Sequence, residues 1–224
     1  MSVCRDFSAI FSNRPTTKSN CAEAVIIESD SSAQFKQVKW INSDFEIINT
    51  KILDDMKKFF EKSSSESFLR LNCDGVMIVE KNGCKYMLFS ELKSRFVLEK
   101  IDHARQQIIS SYIKMNWMMN LLPSYNKQDY IIKGFIFSYP HNSNDIWDWQ
   151  KIKESESYQK VHDPDFIYNL CIQKKTVIQR PDTCVELDGL PLHNERALFE
   201  QIEFHHIIVP ENQSSIVLDV QNYI

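Results

Sequence analysis

Glycine is scarce in this chain, at 4 of 224 residues, and proline is modest at 7. Few flexible linkers are therefore expected, and neither a phosphate-cradling glycine loop nor a Gly-x-Ser-x-Gly nucleophile elbow occurs. No run of 18 or more apolar residues is present, so no membrane-spanning helix is expected. Met1-Ser-Val-Cys-Arg-Asp-Phe7 lacks the charged-then-apolar layout of a secretory signal, and the chain reads as cytoplasmic. The 6 cysteines (Cys4, Cys21, Cys73, Cys84, Cys171, Cys184) show no Cys-x-x-Cys spacing. They are expected as reduced thiols, several of them buried. Positive charge is also in short supply: the formal net charge is −4. That is not the balance of a nonspecific nucleic-acid binder, although a bound cation or a basic patch on an acidic body can still serve one.

What is present is a globular composition, 43% hydrophobic and 12% aromatic, enough to build one sizeable domain or a domain with an appendage. The most informative stretch runs from Arg70 to Lys93. Two apolar runs, Val76–Val79 and Tyr86–Phe89, flank Asn82-Gly83, and Asn-Gly between strand-like runs is a strong hairpin signal because both turn positions need positive φ. With that turn, Lys81 faces Cys84, Glu80 faces Lys85, Ile78 faces Met87, Val76 faces Phe89 and Asp74 faces Glu91. The period of two puts Asp74, Glu91 and Lys93 on one face. Opposed side chains have Cβ atoms roughly 4.5–5.5 Å apart, and like charges so placed are destabilising. A divalent cation with oxygen ligands is the natural neutraliser, since Mg²⁺ takes one or two carboxylates plus water and phosphate. Lys93 would project beside it, placed to orient or deprotonate a water or to offset developing negative charge.

Upstream, residues 1–35 carry no motif; Cys21–Glu28 is a short strand or a helical turn, and Phe35–Ile41 a strand. Asn42-Ser43-Asp44 reads as a helix cap before Phe45, Ile48, Ile52, Met56 and Phe59 at helical spacing, with a stop in Ser63-Ser64-Ser65. Phe68–Leu71 reads as a strand. After Lys93, apolar residues from Val97 to Leu122 repeat as an amphipathic helix of about seven turns ended by Pro123, with Lys100, His103 and Gln107 as a polar row on its flank. Tyr130–Ser138 suits a buried strand. Helices are expected from Asp163 toward Ile172 and from Asn194 through Ile202, turns at Arg180-Pro-Asp and Leu187-Asp-Gly-Leu-Pro, and strands at His205–Val209 and Ile216–Val220. Trp147 and Trp149 read as packing residues rather than base-stacking platforms, and Glu154–Gln159 as exposed. His205-His206 is a weak metal signal, because adjacent strand residues point to opposite faces.

Asp74, then Glu91-Leu92-Lys93 after a hairpin, then an amphipathic helix, resembles the core of the PD-(D/E)xK nuclease superfamily over roughly residues 44–138. Cys73 stands where the family's name has Pro. The resemblance implies a single α/β domain with a restriction-endonuclease-like core, a mixed β-sheet flanked by helices in the order α-β-β-β-α-β, and a C-terminal α+β extension over about 139–224. It implies Asp74, Glu91 and the Leu92 carbonyl as ligands of Mg²⁺ (or Mn²⁺), and Lys93 as the residue that positions the attacking water. It also implies a glutamine on the long helix directed at the site, Gln107 or its neighbour Gln106. An extra acid from the first helix is expected at Glu46 or Asp55, each of which also reads as an ordinary solvated helix charge. Lys100 and His103 are candidate phosphate contacts or simply an exposed helix face. Some relatives carry an iron–sulfur cluster on one early and three late cysteines; this chain has two late ones, so no cluster is expected. The function implied is a DNA endonuclease, DNA being favoured over RNA, in the setting of restriction or phage defence, with a homodimer or protein partner compatible with double-strand cleavage. The alternatives are a non-catalytic nuclease-fold subunit, which the acidic balance favours, and a different domain whose surface hairpin carries the motif by chance.

Overall fold

The computed structural model describes residues 3–11, 17–60, 68–142, 163–173, 176–190 and 192–224. The hairpin is where the Asn-Gly signal puts it. Strand β3 (Gly75–Lys81) pairs antiparallel with β4 (Cys84–Lys93), in register from Lys81 opposite Cys84 to Gly75 opposite Ser90. Asn82 and Gly83 take φ of 53° and 80°, the left-handed pair that a two-residue turn of this twist requires.

Helix α3 (Leu98–Met119) carries the chain back across the sheet, so that β5 (Tyr130–Ser138) lies parallel to β4 with Lys93 beside Ser138. The ladder continues through β7 (Ile202–Ile208), parallel to β5, to the short edge strand β6 (Val177–Gln179). On the other side, β2 (Gln37–Ile48) pairs with β3 and with β1 (Thr17–Ile27), and β8 (Ser215–Asp219) runs parallel to β2. The molecule is thus α/β, with a mixed eight-stranded sheet flanked by helices. Among the described residues the remaining α-helices are α1 (Val3–Ile10), α2 (Lys51–Phe60), and two single turns, α4 (Pro164–Ile167) and α5 (Asn194–Ala197). Among the described residues no helix is long and apolar enough to cross a membrane.

Two cores follow from the strand period. Val76, Ile78, Met87 and Phe89 face α3, meeting Ile101, Ile108 and Tyr112. Met77, Val79 and Leu88 face the opposite way, into a cluster with Trp40, Phe135 and Phe137. The sheet curls so that Trp40 of β2 sits edge-on to Phe135 of β5, with ring centroids 4.9 Å apart.

Several expectations give way to this architecture. Residues 44–48 are strand, not helix, and α2 begins only at Lys51, where Asn49 Oδ1 accepts from the Lys51 N–H at 3.1 Å. The helical spacing of Phe45 and Ile48 arises because β2 is buried on both faces: Phe45 joins one core and Ile48 the other. Asn42 is no helix cap. It takes φ of 68° at a bend in β2, a conformation asparagine tolerates, and its Nδ2 donates to Asp219 Oδ2 at 2.7 Å. Phe68–Arg70 is a 3₁₀ turn rather than a strand, because β2 and β4 already fill both edges of β3. The third strand beside the hairpin therefore precedes α2 instead of following it.

Beyond residue 139 the chain adds β6, β7 and β8 to the same sheet. Asp163 caps α4, accepting from the Phe166 N–H at 2.9 Å, and the helix runs on as a π-helical turn to Ile172. The turn at Pro181–Thr183 and the one at Gly189 (φ 74°) are as expected. The helix expected from Asn194 through Ile202 is one turn, capped by His193, and Ile202 opens β7. The stop at Ser63–Ser65, Trp147, Trp149 and Glu154–Gln159 lie outside the described residues. Cys73, Cys171 and Cys184 are buried free thiols.

Candidate active site

Asp74 immediately precedes β3, and the last residues of β4 hold it. Its N–H donates to Ser90 O at 3.0 Å and to Glu91 Oε2 at 3.1 Å, while the Leu92 N–H donates to Asp74 Oδ2 at 2.7 Å. Each carboxylate is thus oriented by the backbone of the other's strand. Lys93 Nζ donates to Glu91 Oε1 at 2.5 Å and to Gln107 Oε1 at 2.7 Å. Gln107 Nε2 in turn donates to Asn72 O at 2.7 Å. Asp74, Glu91, Lys93 and Gln107 are therefore brought together. Gln106 turns aside to Asp102 Oδ2 at 2.9 Å, which settles the choice between the two glutamines.

The loop that delivers Asp74 is gripped by one stripe of α3. Ser110 Oγ donates to Leu71 O at 2.9 Å, and Ser111 Oγ accepts from the Cys73 N–H at 2.8 Å. Lys114 Nζ donates to Leu71 O at 2.5 Å and to Asn72 Oδ1. Asn72 Nδ2 reaches Asp54 Oδ1 of α2 at 2.7 Å, tying both helices to the loop. Lys114 is fully buried, and desolvation pulls its ammonium down to about 8. This stripe was not anticipated from the sequence. Its signal was available: Gln107, Ser110, Ser111 and Lys114 recur at intervals of three and four within a helix otherwise apolar at those turns.

Burial and like charge dominate the electrostatics. Desolvation, then the charge of Glu28, raises the Asp74 carboxyl to about 7, against the opposing pull of the Leu92 N–H and Lys93. Burial followed by Asp74 pushes Glu91, only 2% exposed, well above the usual carboxylate range, again against Lys93. Both carboxyls are thus shifted toward the protonated form, mainly by burial. Glu28, just past the end of β1, is an acid that sequence reasoning overlooked, because no motif marks that segment.

These groups lie in a cleft of about 820 Å³. Asp74, Glu91 and Lys93 line it, with Lys51, Lys57, Arg70, Arg95 and Lys100 as further cations and Glu28, Asp30 and Asp54 as further acids. A local excess of basic residues thus surrounds the carboxylate pair in a chain of net charge −4. Lys100 and His103 line the cleft as the helix period suggested. Burial first, and Lys93 second, lowers the His103 imidazole below its usual range.

The two candidate first-helix acids fall elsewhere. Glu46 is on β2 opposite Ile78, about 13 Å along β3 from Asp74. Asp55 faces Lys58 at 3.9 Å, and neither residue lines the cleft. Asp54, one residue earlier, does.

Among the described residues, no group of three or more His, Cys, Asp and Glu side chains forms a ready cage for a metal ion. The donor set nevertheless suits a hard divalent cation that keeps several waters: two adjacent carboxylates whose proton affinity is raised mainly by burial.

The chain matches no protein-family model, no curated protein and no solved structure. Any function must be argued from the site.

A second buried ionic group lies along α3 and has a different character. Arg105 Nη1 and Nη2 donate to Glu186 Oε1 and Oε2 at 2.8 and 3.0 Å, and its Nε donates to Asp102 Oδ1 at 3.0 Å. All three side chains are closed from solvent or nearly so. This fork pins the 3₁₀ turn Val185–Leu187 to the helix and does not line the cleft that holds Asp74.

Proposed function

We propose that this chain is a divalent-metal-dependent nuclease with a restriction-endonuclease-like core, and that it hydrolyses phosphodiester bonds within DNA. The observation that carries the proposal is the meeting of Asp74, Glu91, Lys93 and Gln107 in a cleft with basic residues along its walls. Asp74 and Glu91, with the Leu92 carbonyl, would hold Mg²⁺ or Mn²⁺, which when bound supplies Lewis-acid stabilisation and lowers the pKa of a water. Lys93 presents its ammonium beside the carboxylates, where it orients the attacking water and offsets charge that grows on the phosphate. Gln107 restricts the swing of Lys93 and, through the Asn72 carbonyl, couples it to the loop that bears Asp74. Lys51, Lys57, Arg70 and Lys100 are suited to bind flanking phosphates. The choice of DNA over RNA, of internal cleavage, and of a role in restriction or phage defence rests on the family resemblance.

The test is cleavage of single- and double-stranded DNA and RNA in Mg²⁺, Mn²⁺ or EDTA by the protein, Glu91→Ala and Lys93→Ala. Metal-dependent cleavage lost in both folded variants is the expected result. The acidic net charge of −4 favours a second reading, a nuclease-fold subunit that binds without cutting. Cation binding by calorimetry with no cleavage of any substrate would select it.

A further inference from the structure

Three aromatic side chains meet on the surface where α2 ends and α3 approaches its last turn. Phe59 is 69% exposed and Trp117 50% exposed, the two exposed large aromatics among the described residues, and half-buried Phe60 completes the group. Their ring centroids lie 5.2, 5.8 and 6.0 Å apart in tilted and edge-on arrangements. Aromatic surface gathered in one exposed patch is a mark of binding rather than of folding.

The patch adjoins the cleft. Lys57 lines the cleft and precedes Phe60 by three residues, which puts both on one side of α2. Lys114 sits beneath Leu71 and Asn72 of the cleft wall and precedes Trp117 by three residues on α3. Both helices therefore lead from the cleft wall to the aromatic group within about one turn, some 5 Å. Exposed Lys57 and Lys58 directly precede Phe59 in the chain. Cations beside exposed aromatic faces fit a polyanion that also offers flat π-surfaces. A duplex keeps its base faces stacked inside, whereas a single strand can present them to a protein.

We propose that Phe59, Phe60 and Trp117 form a stacking platform for unpaired bases of a single-stranded DNA segment whose phosphates run past Lys57 into the cleft. The substrate then carries a single-stranded stretch next to the bond to be cut. The identity of the ligand rests on the nuclease reading above, but stacking does not require cleavage.

The experiment uses the full chain in EDTA. Fluorescence anisotropy measures binding of a labelled oligothymidine and of a blunt duplex of equal length, across a salt series, for the protein, Phe59→Ala, Trp117→Ala and Lys57→Ala. Phe59 and Trp117 are exposed, so both aromatic variants should fold, and circular-dichroism melting checks this. Each aromatic variant should bind the single strand about tenfold more weakly. The slope of log affinity against log salt should stay unchanged in them, because no phosphate contact is lost. Lys57→Ala should weaken both ligands and reduce that slope by about 0.7 for the single strand. The proposal is overturned if the protein does not prefer the single strand, or if the aromatic variants bind it as tightly as the parent. It is also overturned if they lose only self-association in sedimentation, which would make the patch a contact between copies. A protein that never cleaves DNA yet shows the stacking pattern would remove the nuclease reading and leave the platform standing.

Discussion

Replacing Asp74 by Asn should stabilise the metal-free protein at alkaline pH while removing its response to divalent cations. The Asp74 carboxyl is raised from 3.8 to about 7, mainly by burial and by Glu28. A carboxylate with a raised folded-state pKa binds more protons in the folded chain than in the unfolded chain between those two values. Stability from this group is therefore intact below about pH 4 and falls as pH rises towards about 7. Above that the cost is constant. A shift of about three units corresponds to about 4 kcal/mol at most, at roughly 1.4 kcal/mol per unit. Asparagine keeps an acceptor for the Leu92 N–H, but a neutral one, and it gives up the attraction to Lys93. Those losses return a share of the gain and leave about 2 kcal/mol. For a domain of this size, that is a rise of about 4–8 °C in Tm at pH 8, shrinking towards pH 5. The assay is thermal melting of both proteins at pH 5 and 8, in EDTA and in Mg²⁺. Magnesium should raise the parent's Tm at pH 8 and leave the variant's unmoved. A variant less stable than the parent at pH 8 in EDTA would refute the reasoning. It would mean that Lys93 and the Leu92 amide already compensate the Asp74 charge in full.

Three further outcomes follow from the packing around the site. Arg105→Met removes the guanidinium that buried Asp102 and Glu186 share, and should cost about 3–5 kcal/mol in chemical denaturation. Gly134→Ala places a Cβ 2.8 Å from the Phe204 ring and 3.2 Å from Ile108, and should cost about 1–3 kcal/mol by the same measurement. Gln107→Leu leaves Lys93 held by Glu91 alone of these two partners and removes the amide that donates to the Asn72 carbonyl. It should reduce cation affinity or cleavage about tenfold or more, read by calorimetry and by initial rates, with little change in the circular-dichroism spectrum.

Local signals carried the hairpin. Asn82-Gly83 can hardly do anything but turn, and the alternation on either side then determines which residues oppose one another. Asp74, Glu91 and Lys93 were legible for that reason, as was Gln107, because a long apolar stripe fixes the rotation of α3. Where local and tertiary preferences conflict, pattern alone misled. Phe45 and Ile48 have helical spacing, yet belong to a strand because β1, β3 and β8 offer hydrogen-bonding edges along β2. The helix begins at Lys51, so Glu46 and Asp55 lie away from the cleft, whereas Asp54 lines it and Glu28 reaches it from a distant strand end.

The sequence by itself thus determined the α/β class, the register of the carboxylate pair and the helix that buttresses it. Each is written in contacts close along the chain or in one long periodic run. Only the tertiary structure decided that β2 is a strand and that the last third of the chain completes the same sheet. It also decided which acids and cations share the cleft, and that Lys114 lies buried beneath the loop that bears Asp74. Those facts depend on pairings between residues far apart in sequence, whose free energies no local window contains.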